Sequence, residues 1–209
     1  MWNSGVLVGD DDGEDPGAFL RRAMPPDNEI PVAVPLNLLL ARSDDTAVAW
    51  TGTAVHSTGT AFTLLATTRR TDLPLNDVFW HNVGAPESLL VGVEFADGRW
   101  ATNHGDASEP GIALNSGGGS GGERTCEQRI WLHPVPPAGP LTVVVRAPSL
   151  GIEETRTVVD ATPLSAAAAS VVELWPWTPP RSAGFEPEPV PPPLPADSWF
   201  ARTQQRGNR

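Results

Sequence analysis

The sequence predicts an all-β fold: an antiparallel β-sandwich, Ig-like or similar, with one short C-terminal helix and flexible termini. Three observations carry that expectation. Glycine and proline, 20 and 23 of 209 residues, interrupt the chain too often for long helices. Short apolar runs lie between these breaks, and Asp97-Gly98 separates two of them in the manner of a tight hairpin. The 40 % apolar content suits one core, and the chain is too short for two well-packed domains once its tails are set aside.

Three regions follow. Residues 1–27 read as an acidic, mostly flexible arm with the run Asp10-Asp11-Asp12-Gly13-Glu14-Asp15 and a brief helix through Phe19 and Leu20. The run lacks the alternating ligands and distal glutamate of a calcium loop, which favours a solvated arm. Residues 28–176 hold the sandwich and its helix. Residues 177–209 form a proline-rich tail that favours polyproline II.

Within the domain, Ile30 to Ala41 is apolar, and Pro31 and Pro35 assign its first half to a sheet edge. Asp44-Asp45 makes a turn. Thr46 to His56 and Thr60 to Arg69 then form one hairpin, and Leu89 to Phe95 with Arg99 to Asn103 form another. A short strand at Gly111 to Leu114 precedes a flexible linker, Gly117 to Gly122. From Arg124 to His133, Cys126, Gln128, Ile130 and Leu132 share one side, while Trp131 interrupts an otherwise polar opposite side, so the buried side is left open. Leu141 to Arg146, mostly β-branched, reads as a central strand covered on both faces, and Ile152 to Val159 returns beside it. A helix starts with Asp160 or Thr162 as N-cap and Pro163 in its first turn. Its apolar stripe is Leu164, Ala168, Val171, Val172 and Trp175.

Composition excludes several chemistries. All 14 basic residues are arginine and there is no tyrosine, so Schiff-base lysines, P-loop lysines and catalytic tyrosines are absent. The net charge of −11 repels phosphate backbones and anionic lipid, so neither nucleic acid nor membrane is an expected partner. Cys126 is the one cysteine and forms no disulfide within the chain; the N-terminus shows no signal-peptide pattern, and the cytoplasm is the expected compartment.

The motifs that resemble catalytic ones fail on context. Gly118-Gly119-Ser120-Gly121-Gly122 matches the spelling of a nucleophile elbow, but β-structure is expected on both sides of Ser120. Cys126 lies in a strand pattern as a small apolar residue. The carboxylate pairs Glu94 with Asp97 and Glu153 with Glu154 lie on solvated hairpins, and Trp50, Trp80, Trp100 and Trp131 fall where core packing competes with sugar stacking. The remaining alternative is a metal-dependent enzyme or small-ligand binder with a loop site built from Asp77, His81, His104 and Asp106.

Three stretches carry a resemblance: Val91-Gly92-Val93-Glu94-Phe95-Ala96-Asp97-Gly98-Arg99; the glycine-rich segment leading into Gln128-Arg129-Ile130-Trp131; and Pro137-Ala138-Gly139-Pro140-Leu141-Thr142 through Gly151-Ile152-Glu153-Glu154-Thr155-Arg156. Over about residues 30–176 the chain resembles uncharacterised actinobacterial all-β proteins. That resemblance implies no activity and supplies no site residues.

The expected function is therefore a non-enzymatic protein-interaction or structural module without cofactor or metal. Its partner is another protein, engaged through the tail at Trp199 and Phe200 with Pro192 and Leu194 beside them, because an aromatic pair in a charged, proline-rich context is normally buried or bound. Docking of that pair onto its own domain is the open alternative. The oligomeric state is not specified by the sequence.

Overall fold

The computed structural model describes residues 16–73, 75, 78, 79, 88–103 and 111–179. The chain divides into two units, residues 1–179 and 180–209, and the described residues all lie in the first.

Among the described residues, two antiparallel sheets of six and four strands make up the sandwich, and a separate two-stranded ribbon joins residues 29–30 to 172–173. In the larger, β2 (Val32–Val34) and β3 (Leu38–Arg42) pair with successive halves of β4 (Thr46–Val55), followed by β5 (Thr60–Thr68), β9 (Thr125–His133) and β8 (Ala113–Gly121). The smaller has the order β11 (Ile152–Asp160), β10 (Pro140–Ala147), β6 (Leu90–Glu94) and β7 (Trp100–Thr102). The chain changes sheets after β5, β7 and β9, which makes a sandwich of the two.

Alternation along the strands builds one core between the sheets. Val48, Trp50, Phe62, Leu64 and Ile130 of the larger sheet face Val91, Val93, Leu141, Val143 and Val145 of the smaller in a continuous buried cluster. Trp50 stacks on Phe62, with ring centroids 3.5 Å apart and planes 6° from parallel. Its indole nitrogen donates to Thr53 Oγ1 at 2.6 Å. Burial fixes the register here, because a one-residue slip would turn every one of these side chains outward.

Both expected hairpins form. Between β6 and β7, Gly98 adopts φ 85°, its N–H donates to the Phe95 carbonyl, and the Phe95 N–H donates to the Arg99 carbonyl. A residue with a Cβ is disfavoured at such a φ, which accounts for glycine after Asp97. The segment with Pro31 and Pro35 lies at the edge of the larger sheet, as its missing donors require.

Three sequence expectations need correction. The glycine run is no linker: Gly117 to Gly121 continue β8 beside β9, with an irregularity between Ser116 and Gly119. Backbone pairing needs no side chain, so glycine leaves the ladder intact while removing the alternation that announces a strand. β10 is central in its sheet but not covered on both faces, for Leu141, Val143 and Val145 are buried while Thr142, Val144 and Arg146 are half-buried. The C-terminal helix α2 (Thr162–Ala168) is shorter than its stripe; Leu164 is buried, but Val171, Val172 and Trp175 lie beyond its end. The N-cap is Ala161, which makes no side-chain cap bond, rather than the expected Asp160 or Thr162; Asp160 Oδ1 instead accepts from the Thr162 N–H at 2.9 Å and hydroxyl at 2.6 Å. The brief helix expected through Phe19 and Leu20 forms as α1 (Pro16–Ala23), which packs on β8 and β9; the acidic run lies outside the described residues.

No helix among the described residues is long and apolar enough to cross a membrane.

Candidate functional site

Just before the sandwich begins, Glu29–Ile30 (β1) pairs antiparallel with Val172–Glu173 (β12), setting Ile30 opposite Val172. Asn28 fastens this two-stranded ribbon. Its carbonyl accepts from the Leu174 N–H at 2.8 Å, its Nδ2 donates to the Trp175 carbonyl at 2.7 Å, and the residue is 3 % exposed. The ribbon presents large apolar side chains to solvent: Ile30 and Val172 are each 53 % exposed, Leu174 46 % and Trp175 58 %. Ile30 and Val172 are exposed directly opposite each other on one face of the ribbon, and Leu174 and Trp175 follow at its end, so four large apolar side chains are exposed within a short stretch. At one end the Arg21 guanidinium lies 4.9 Å from the centre of the Trp177 ring.

Below the ribbon the chemistry is polar. The Glu29 side chain is 8 % exposed and accepts from the Ser57 N–H at 2.9 Å and from the Ser57 hydroxyl. His56 Nδ1 lies 3.6 Å from Glu29 Oε2 and its ring meets Trp131 edge-on, centroids 5.5 Å apart. Burial lowers the His56 pKa, with the Glu29 charge opposing that shift. His133, at the end of β9, is also lowered by burial; a backbone hydrogen bond with Thr58 acts upward and the Arg22 charge downward. Both rings are therefore favoured as neutral imidazole near neutral pH.

His56, Ser57 and Glu29 do not make a nucleophilic triad. Such a triad places histidine between the hydroxyl and the carboxylate, whereas here the carboxylate stands between serine and histidine and takes the hydroxyl proton bond itself. The arrangement ties the β4–β5 turn to β1. Asn28 Oδ1, His56 Nδ1, Thr58 Oγ1, Thr60 Oγ1 and His133 Nδ1 are the buried side-chain polar atoms without a hydrogen-bond partner among the described residues. They come from the start of the ribbon, the β4–β5 turn and the end of β9 that pairs with it, so the polar strain of the described fold is concentrated beneath the exposed patch.

The expected site residues are not brought together by the described structure. Asp77, His81, His104 and Asp106, and the tail residues Pro192, Leu194, Trp199 and Phe200, all lie outside the described residues. Among those described, no group of three or more histidine, cysteine, aspartate or glutamate side chains is arranged to hold a metal ion. Ser120 is exposed on β8 with Glu127 Oε2 at 3.5 Å, so no strand-to-helix elbow surrounds it. Cys126 is fully buried in the core. Trp50 and Trp131 are fully buried, which removes them as sugar platforms, while Trp100 is 40 % exposed and Trp80 lies outside the described residues. Asp97 pairs with Arg99 within the β6–β7 turn, and Glu154 with Arg156 along β11.

In the sequence Ile30 falls in the expected edge strand and Val172 and Trp175 in the expected helix stripe, so nothing there joins them to one another or to Leu174. The signal was the β-branched pair Val171-Val172 after the alanines, where helix propensity falls and strand propensity rises. No family model, no curated protein and no solved structure matches this chain.

Proposed function

We propose that this chain is a non-enzymatic protein-interaction module and that the β1–β12 ribbon is its docking surface. The observation that carries the reading is the exposure of Ile30, Val172, Leu174 and Trp175 on and beside a ribbon that hydrogen bonds of Asn28 and Glu29 hold in place. A preorganised apolar patch loses little entropy on binding, and an exposed indole beside aliphatic residues is the composition of an interface anchor.

The partner is a segment of another protein that offers apolar side chains flanked by basic ones. Charge complementarity argues for it: the net charge is −11, and Asp27 and Glu173 are exposed on or beside the ribbon. A second copy of the same chain would meet like charge there. A cytoplasmic setting is supported by the lone buried cysteine.

Quantitative affinity capture tests the proposal with the full chain, Val172→Asp, Trp175→Ala and the control Glu153→Gln on β11. A partner recovered equally by wild type and control, and at least ten-fold less by both ribbon variants, is expected. Circular dichroism and thermal melts establish that the variants remain folded. Recovery that is indifferent to Val172 and Trp175 would overturn the assignment.

A further inference from the structure

At the opposite end of β4 from the ribbon, a depression of about 510 Å³ opens on the outer face of the larger sheet. Its floor is small: Ala47 of β4 and Thr67 of β5 lie opposite each other, and the same row continues to Arg42 on one side and Thr125 on the other. Arg42 and Arg124 rise at its two ends, with Arg69, Asp44 and Asp45 at the rim. The row from Arg42 to Thr125 crosses three strand spacings, about 14 Å. Arg42 and Arg124 thus line the hollow on either side of Ala47 and Thr67.

The partners already taken decide which groups are available. Arg69 donates through Nε to Asp45 Oδ1, and its N–H donates to the Asp45 carbonyl at 3.0 Å, so Arg69 and Asp45 neutralise each other. Ser43 Oγ donates to the Leu150 carbonyl and accepts from the Thr46 N–H, and the Thr46 and Thr68 hydroxyls bond each other. Among the described residues, the side chains of Arg42, Arg124 and Thr67 have no such partner. Two forked guanidiniums and a hydroxyl are thus left facing one hollow.

We propose that this depression binds the phosphate group of a small molecule, with Arg42 and Arg124 as its clamps and Thr67 as a further donor. Guanidinium forks match phosphate oxygens in pairs, and a phosphate dianion offers two forks three terminal oxygens and two charges where a carboxylate offers two oxygens and one charge. The volume lies within the range of small-molecule sites and exceeds what the phosphate alone fills, so an organic portion can rest on Ala47 and Thr67. The surrounding charge sets the size limit. A chain of net −11 repels a polyanion along its whole length, but a small ligand meets the local lining, where Arg42 and Arg124 outweigh the single carboxylate of Asp44 once Arg69 and Asp45 are paired. This site is independent of the ribbon.

Phenyl phosphate is the probe, with benzoate at matched ionic strength as its carboxylate counterpart. Amide resonances of Thr67 and Arg124 in the full chain should shift saturably with phenyl phosphate, and added salt should weaken the binding because both clamps are exposed. Arg42→Gln and Arg124→Gln should each weaken it at least ten-fold, whereas Arg156→Gln on the other sheet should not change it. Benzoate should bind at least ten-fold more weakly. Non-saturating shifts, binding indifferent to both clamp variants, or benzoate bound as tightly as phenyl phosphate would each overturn the assignment.

Discussion

The indole Nε1 of Trp131 donates to the main-chain carbonyl of Arg22 at 3.0 Å, joining the outer face of the larger sheet to the last turn of α1. That bond explains why an aromatic residue stands on the otherwise polar side of β9. Thr125, Glu127 and Arg129 on that side are exposed, while Trp131 is fully buried because α1 covers it. Asn115, opposite Trp131 on β8, donates to the Ala23 carbonyl at 3.1 Å, so two side chains satisfy carbonyls that the end of α1 leaves without helical partners.

Replacing Trp131 by phenylalanine keeps a ring but removes the indole donor to the Arg22 carbonyl, leaving there the longer contact from Asn115 Nδ2 at 3.5 Å. A loss of roughly 1–3 kcal/mol is expected from the missing bond. Urea denaturation checks it: the midpoint should fall while the slope stays that of wild type, and an unchanged midpoint would show that α1 contributes nothing through this bond.

Gly59 packs against the same indole. A Cβ built there would lie 2.5 Å from the Leu132 carbonyl oxygen and 2.5 Å from Trp131 Cζ2, and one of those obstacles is backbone. Gly59→Ala should therefore destabilise by about 1–3 kcal/mol through overpacking, although alanine normally favours folding over glycine. Thermal melting of the variant beside wild type reads the sign directly, and a higher melting temperature would contradict the close approach.

Thr53 offers a separate test inside the sandwich. Its hydroxyl accepts from Trp50 Nε1 at 2.6 Å and donates to the Leu36 carbonyl at 3.3 Å, and the residue is 4 % exposed. Thr53→Val keeps the shape while leaving a buried indole N–H unpaired, at an expected cost of about 1–3 kcal/mol. The Trp50–Phe62 stack should persist, so near-ultraviolet dichroism should keep its form as the urea midpoint falls. A variant as stable as wild type would mean that water reaches the indole.

Strands with period-two burial were legible in the sequence. Thr46 to Val55 and Thr60 to Thr68 alternate because one face meets the core, and Asp97-Gly98 announced its hairpin through the φ that glycine permits. The side of β9 that faces the core was not legible, since Trp131 is buried by a helix more than a hundred residues away in sequence. Gly117 to Gly121 were unreadable as a strand because hydrogen bonding to β9 leaves no mark on side-chain pattern. The ribbon was hidden for a different reason. Two residues per strand give no period to detect, and the pairing of Glu29 with Glu173 joins the two ends of the domain. The depression between Arg42 and Arg124 depends on a row crossing four strands, which only the registers reveal.

The histidines beneath the ribbon make stability depend on pH with a definite sign. Burial lowers the pKa of both His56 and His133 below the ordinary value near 6.5. Glu29 opposes the shift at His56, while at His133 the Thr58 backbone opposes it and Arg22 adds to it. Between the lowered folded values and the ordinary unfolded value, the unfolded chain binds more protons than the folded one. The contribution of these groups is thus complete above about pH 6.5 and is lost as pH falls through that value toward the folded pKa values. Urea midpoints measured from about pH 7.5 down to about pH 5.5 should decline, and the double variant His56→Gln with His133→Gln should show a shallower decline. A wild-type midpoint that stays level or rises over that interval would show that neither ring is held neutral by burial.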